Sequence, residues 1–191
     1  MKRKTFIKQV GYGAGAAVLI PSIGLVQGCA YEPQIRKHLS EMDVPFLDEI
    51  GETIIPTTAD SPGAKATKIG EYILLMYQDC MEEEDQQILL AGLNTLDAKA
   101  ALDFSKSFMD MDNKDRIALL QLSQEEAIAY DLKHEGEDEV PPHYFNILKG
   151  LTLGGYFSSK IGMTEARAYL PIPGKFVECM PYTPSDKVWA L

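Results

Sequence analysis

Three cysteines in 191 residues are too few for a disulfide lattice. A chain this long can bury roughly 70% of the surface its unfolded form exposes, so it needs no such lattice. Basic residues are scarce too: 18 Lys and Arg stand against 28 Asp and Glu, a net charge of −10. Nucleic-acid affinity comes from cationic side chains that displace condensed counterions, so a phosphate-backbone binder is excluded. Long apolar runs are also missing. The uncharged stretch 11–26 contains Pro21 and four glycines, and at about 1.5 Å of rise per residue it falls short of a ~30 Å hydrocarbon core. A permanent membrane span is therefore the weaker reading. Cofactor and nucleophile motifs are absent as well, with no phosphate-binding loop, no Gly-x-Ser-x-Gly and no Cys-x-x-Cys. The run Gly11-Tyr12-Gly13-Ala14-Gly15 follows no strand, and His38, His134 and His143 are far apart. The expectation is a chain with no catalytic, cofactor-binding or metal-ligating residues of its own.

What is present begins with a charge asymmetry. Residues 1–28 carry four basic groups (Lys2, Arg3, Lys4, Lys8) and no acidic ones, whereas 29–191 carry 14 basic against 28 acidic, a net of −14. A cationic start, an apolar stretch and Gly28-Cys29 form the three-part layout of an export signal over 1–28. Arg3-Lys4-Thr5-Phe6-Ile7-Lys8 resembles the twin-arginine motif with Lys4 in the second position. A general secretory signal is the alternative. Val26-Gln27-Gly28-Cys29 resembles a bacterial lipoprotein box, which would place diacylglycerol on Cys29. An ordinary cleavage site that happens to adjoin Cys29 is the alternative there.

Residues 29–39 read as a tether and 40–191 as one all-α, compact multi-helix domain with an extended Pro-rich C-terminal segment. Hydrophobic content of 46% and charge of 24% are ordinary globular values. Val44, Phe46, Leu47, Ile50 and Ile54 recur at helical spacing, with Asp43 as N-cap, Pro45 in the first turn and Pro56 as terminator. Residues 56–64 read as an ordered loop. A second helix is expected over 64–81, with Ile69, Ile73, Met76 and Cys80 on one stripe and Tyr72 beside them. Glu82-Glu83-Glu84-Asp85 opens a third over 83–104, where carboxylates favour the positive end of the helix dipole. Asp112 caps a fourth helix, and Ser123-Gln124-Glu125-Glu126 reads as the start of a separate fifth. The acidic run around His134 lacks metal-ligand spacing and reads as a solvated loop before a helix opened by Pro142. Asp110, Asp112 and Asp115 lack the glycine and bidentate Glu of a calcium loop.

From Gly162 onward Pro171, Pro173, Gly174, Pro181 and Pro184 alternate with Leu170, Ile172, Phe176, Val177, Met180, Tyr182 and Trp189. That is too proline-rich for a helix and too apolar for a frayed tail, so the segment should lie extended over a surface, its own or a partner's. Cys80 and Cys179 can pair with each other, or Cys179 can bridge to a partner.

Leu151-Thr152-Leu153-Gly154-Gly155-Tyr156-Phe157-Ser158-Ser159-Lys160-Ile161-Gly162, continuing through Tyr169-Leu170-Pro171-Ile172-Pro173-Gly174 to Cys179, resembles the C-terminal signature of the gluconate 2-dehydrogenase subunit 3 family. Ile50-Gly51-Glu52-Thr53-Ile54-Ile55-Pro56 with Ser61-Pro62-Gly63-Ala64 resembles its N-terminal signature, and Ser107-Phe108 also fits. The resemblance spans about 44–182. It implies a non-catalytic small subunit of a periplasmic sugar or polyol dehydrogenase, whose large subunit of the glucose-methanol-choline type holds FAD and performs the oxidation. A cytochrome c subunit carrying haem c often takes the electrons. The small subunit would aid export and maturation of the large one, and a lipid on Cys29 would hold the assembly to a bacterial membrane. Lys4 and the lipoprotein box depart from the family pattern. Within the motif, Gly154-Gly155 would allow close backbone approach, and Tyr156-Phe157 would serve either as a partner anchor or as internal core. Pro171, Pro173, Gly174 and Cys179 complete the candidate partner interface. A free-standing exported lipoprotein that binds a ligand or partner is the alternative in another class.

Overall fold

The computed structural model describes residues 31–33, 35–172, 174, 178–179 and 181–190. The motif residues Arg3, Lys4, Phe6, Ile7 and Lys8, the lipidation candidate Cys29 and Pro173 lie outside that set.

Helix α1, Val44–Ile54, starts after Asp43 with Pro45 in its first turn, where a missing N–H removes no intrahelical bond. Its buried side chains, Phe46, Leu47 and Ile50, follow the expected period. The helix expected over 64–81 is broken instead. Ala64–Thr67 makes a 3-10 turn, Lys68 adopts a left-handed conformation (φ 58°, ψ 47°), and α2 runs Ile69–Asp79. The cause lies in α1, where Asp48 Oδ1 accepts from the Gly70 N–H at 2.7 Å and so satisfies an otherwise orphaned donor at a new helix start. A Cβ on Gly70 would stand 2.4 Å from the Val44 carbonyl oxygen, so this crossing requires glycine. Starting at Ile69 also corrects the stripe: Ile69, Ile73 and Tyr77 are buried, while Cys80 is exposed just past the helix end.

Helix α3, Glu83–Phe104, carries Glu83, Glu84 and Asp85 in its first turn and buries Leu89, Leu93, Leu96 and Ala100. Helix α4, Asn113–Lys133, is capped by Asp112, whose Oδ1 accepts from the Asp115 N–H at 2.9 Å. It does not stop at Ser123, where a new helix was expected. The Ser123 hydroxyl donates to the Leu119 carbonyl (3.1 Å) and accepts from the Tyr144 hydroxyl (3.0 Å), so it is fully used inside a continuous helix. Helix α5, Tyr144–Ser158, begins two residues later than Pro142 suggested, with His143 Nδ1 accepting from the Phe145 N–H at 3.3 Å.

The domain is all-α, with one hydrophobic core. Helix α5 packs against each of the other four helices, which explains why its sequence is apolar nearly all round. Among the described residues there is no β-strand, only an isolated parallel bridge between Ala168 and Trp189. No described helix is long and apolar enough to cross a membrane.

Residues 31–33 and 35–39, within the stretch 29–39 read from sequence as a tether, lie against α3. The Arg36 N–H donates to Asn94 Oδ1 and Asn94 Nδ2 donates back to the Arg36 carbonyl, both at 2.9 Å. The Tyr31 hydroxyl (3.0 Å) and the Arg36 guanidinium (3.5 Å) both donate to Asp97 Oδ2. Arg36 also pairs with Asp43 at 2.8 Å and stacks 4.2 Å above the Phe46 ring, and Leu39 is buried. These contacts answer a charge that would otherwise be stranded, because Asp97 is only 2% exposed.

Candidate partner-docking surface

The two signature segments meet in space. Glu52, in the last turn of α1, reaches over the following loop. Its Oε1 accepts from the Thr57 N–H (2.8 Å) and hydroxyl (2.7 Å), and its Oε2 accepts from the Lys65 N–H (3.0 Å). Thr57 Oγ1 accepts from the Gly63 N–H at 3.0 Å, and Thr58 N–H donates to the Ser61 carbonyl at 2.9 Å. One carboxylate thus organises a loop that has almost no apolar content. From α5, the Tyr156 hydroxyl donates to the Pro62 carbonyl at 2.6 Å. Beside it, a Cβ on Gly155 would lie 2.4 Å from Tyr72 Cδ1 and 2.6 Å from Ile69 Cδ1. Glycine at 155 lets α5 lie directly on α2, and that contact delivers Tyr156 to the loop.

This geometry divides the interface candidates. Gly155 is buried and Tyr156 is only 1% exposed, so both belong to the domain's own interior and offer a partner nothing to touch. Gly154 is exposed, with open space where a Cβ would go. Phe157 is half-buried, stands edge-on to Tyr156 at 5.0 Å and is covered by the Arg167 guanidinium at 4.2 Å from its centroid.

Past α5, a π-helical turn over Gly162–Ala166 redirects the chain. The Ala168 N–H donates to the Val188 carbonyl (2.9 Å) and the Ala190 N–H donates to the Ala168 carbonyl (2.8 Å), so the end of the chain returns alongside 168. The return borders an open concavity of about 660 Å³ lined by Ala168, Pro181, Tyr182, Asp186, Lys187, Val188 and Trp189. Of its lining, Tyr182, Val188 and Trp189 are exposed, and Tyr169, Leu170 and Ile172 on the segment just past Ala168 are exposed as well, Ile172 by 82% and Trp189 by 48%. Pro171, Gly174 (φ 72°) and Cys179 are exposed on the same segment. Tyr182, Val188 and Trp189, exposed together at one concavity, make the kind of apolar patch that marks an interaction site. Cys80 and Cys179 are both free thiols here.

Several charged groups elsewhere are paired for structural ends. Burial would raise the Glu49 carboxyl, but the hydrogen bonds and charges of Lys65 and Arg116 outweigh it and hold it below its ordinary value. Arg116 also donates to the Phe108 (3.1 Å) and Met109 (2.7 Å) carbonyls, which ties α4 to the turn before it. Burial lowers the His143 imidazole below its ordinary value; Glu126 and Asp131 oppose the shift and Lys99 adds to it. His134 Nδ1 lies 2.8 Å from Glu137 Oε2 within the acidic loop. Among the described residues no three His, Cys, Asp or Glu side chains converge as a metal set.

Tyr31, Arg36 and Asp97 were not singled out from the sequence, and Glu52 entered only as a member of the N-terminal signature. Asp97 left a trace there, as a carboxylate set among Leu93, Leu96 and Ala100 on the apolar stripe of α3. The family model for gluconate 2-dehydrogenase subunit 3 matches residues 41–174. No curated protein and no solved structure matches the chain.

Proposed function

The chain belongs to the gluconate 2-dehydrogenase subunit 3 family, and from that premise we propose that it is the non-catalytic accessory subunit of an exported, FAD-dependent dehydrogenase of the glucose-methanol-choline type. It docks the flavoprotein, aids its export and maturation, and holds it at a bacterial membrane through a lipid on Cys29. FAD belongs to the large subunit, and haem c to a cytochrome third subunit where one is present. The observation that carries the reading is the exposure of Tyr182, Val188 and Trp189 at an open concavity, with Tyr169, Leu170 and Ile172 also exposed on the segment just past Ala168. Exposed aromatic side chains beside an open recess suit a protein partner's apolar anchors, and Tyr and Trp are enriched at binding hot spots. The cationic start and Arg3-Lys4-Thr5-Phe6-Ile7-Lys8 support a route that carries folded cargo.

Co-expression with a flavoprotein of the glucose-methanol-choline type from the same genome tests the proposal. The expected outcome is a yellow complex recovered from the membrane fraction, with the flavoprotein stranded in the cytoplasm when this chain is deleted. A monodisperse, colourless monomer, with the flavoprotein exported and active without it, would overturn the reading.

A further inference from the structure

Residues 31–33 and 35–39 form a strap that begins at the third residue past the Gly28–Cys29 bond, where the export signal read from the sequence ends. Few groups hold it. The Tyr31 hydroxyl and the Arg36 guanidinium meet at Asp97, Arg36 also reaches Asp43 and the Phe46 ring, and the Arg36 backbone pairs with the Asn94 amide. Glu32, Ile35, Lys37 and His38 are exposed, and the first side chain of the strap to enter the apolar core is Leu39. A segment tied by a few polar contacts, with no core side chain ahead of its last residue, opens more readily than the helices it lies on.

The docked and released strap differ in reach. With Tyr31 on Asp97, the two residues from Cys29 onward span at most about 7 Å, whereas release back to Leu39 frees about nine residues, 30–38, which extend to roughly 30 Å. A peptidase must enclose an extended chain on both sides of the bond it cuts. About 7 Å leaves a folded domain no room to stand clear of such a cleft, and roughly 30 Å does. We infer that the strap is a latch on the removal of residues 1–28: docked on α3 it keeps the domain too close to the Gly28–Cys29 bond for a peptidase to enter, and hydrolysis proceeds from the released strap. The step consumes one water and leaves a carboxylate on Gly28 and an amine on Cys29. This inference rests on the proposed export of the chain in its folded state, since an unfolded chain has no docked strap.

The test accumulates the exported full chain, with residues 1–28 in place, under a signal-peptidase inhibitor and follows the loss of 1–28 by intact mass after wash-out, so that export is complete before cleavage is timed. Tyr31→Phe removes the hydroxyl that donates to Asp97 and keeps the ring. Cleavage of a transiently opened segment tracks its open population, so loss of a hydrogen bond to a charged group should speed cleavage about ten-fold. A Gly-Ser insert of about ten residues between Ala30 and Tyr31 leaves the strap's own contacts in place and should speed cleavage at least as much, because it restores the reach. Within the insert, Tyr31→Phe should have no further effect. Equal rates for the parent and Tyr31→Phe, an insert cleaved as slowly as the parent, or an insert still accelerated by Tyr31→Phe would overturn this inference alone. Retention of 1–28 in every variant would remove the export-signal reading and this inference together.

Discussion

At the scale of single residues, the adjacent glycines of the signature separate function from packing. Gly155 faces Tyr72 and Ile69 at distances no Cβ tolerates, whereas Gly154 faces open space. Gly155→Ala should destabilise by about 1–3 kcal/mol through overpacking. Gly154→Ala should be neutral or stabilise by up to about 1 kcal/mol, because alanine favours the helix. Urea titration of the two variants side by side checks the contrast, and equal effects would refute the close approach of α5 to α2. Asp97 offers a second test. Asp97→Ala removes the acceptor for the Tyr31 hydroxyl and the Arg36 guanidinium, and a loss of about 2–3 kcal/mol is expected from hydrogen bonds to a charged group. Proteolysis near residue 36 should accelerate in that variant, because the segment before Leu39 loses its fixing point on α3.

At the scale of elements, what could be read from sequence depended on whether a local pattern also determined the three-dimensional outcome. Helix α3 was legible at both ends, because its acidic first turn and its apolar period agree. The Ser123 pattern misled because a capping-box sequence describes only an option, and Tyr144, 21 residues away, claimed the hydroxyl for the helix interior. Lys68 was illegible for the same reason, since the break there answers Asp48 on another helix. The start of α5 yields a pH prediction. His143 must be neutral to accept from the Phe145 N–H, and its folded-state pKa lies below its ordinary value of 6.5. The unfolded chain therefore binds the proton more readily, so the stability is fully present above about pH 6.5 and falls as pH drops below it. His143→Asn supplies a non-titrating cap and should flatten the thermal midpoint between about pH 6.5 and 5. Glu49, also lowered, acts in a separate window: its contribution is present above its ordinary 4.5 and is lost as pH falls further, so that loss should survive the substitution.

For the whole molecule, the decisive property is that the proposed docking surface is built outside the helical core. The core closes through α5, Tyr156 and the loop organised by Glu52, and none of those groups lies in the 168–190 return. Two backbone hydrogen bonds hold the return at Ala168, and Tyr182 is largely and Trp189 about half exposed. Replacing both with Asp should therefore leave helical content and denaturant midpoint within about 1 kcal/mol of the parent, because surface changes away from packed features have small effects. The same change puts two charges where a partner would have to desolvate them, and hot-spot aromatics are commonly worth about 2 kcal/mol or more each, so capture of the flavoprotein should fall by at least about 30-fold per site. Size-exclusion and copurification of the variant from cells that also express the flavoprotein provide the measurement. Intact folding with lost capture is the expected result. Undiminished capture would move the interface elsewhere, to the groove between α1, α4 and α5 lined by Ile54, Ile117, Leu120 and Phe145.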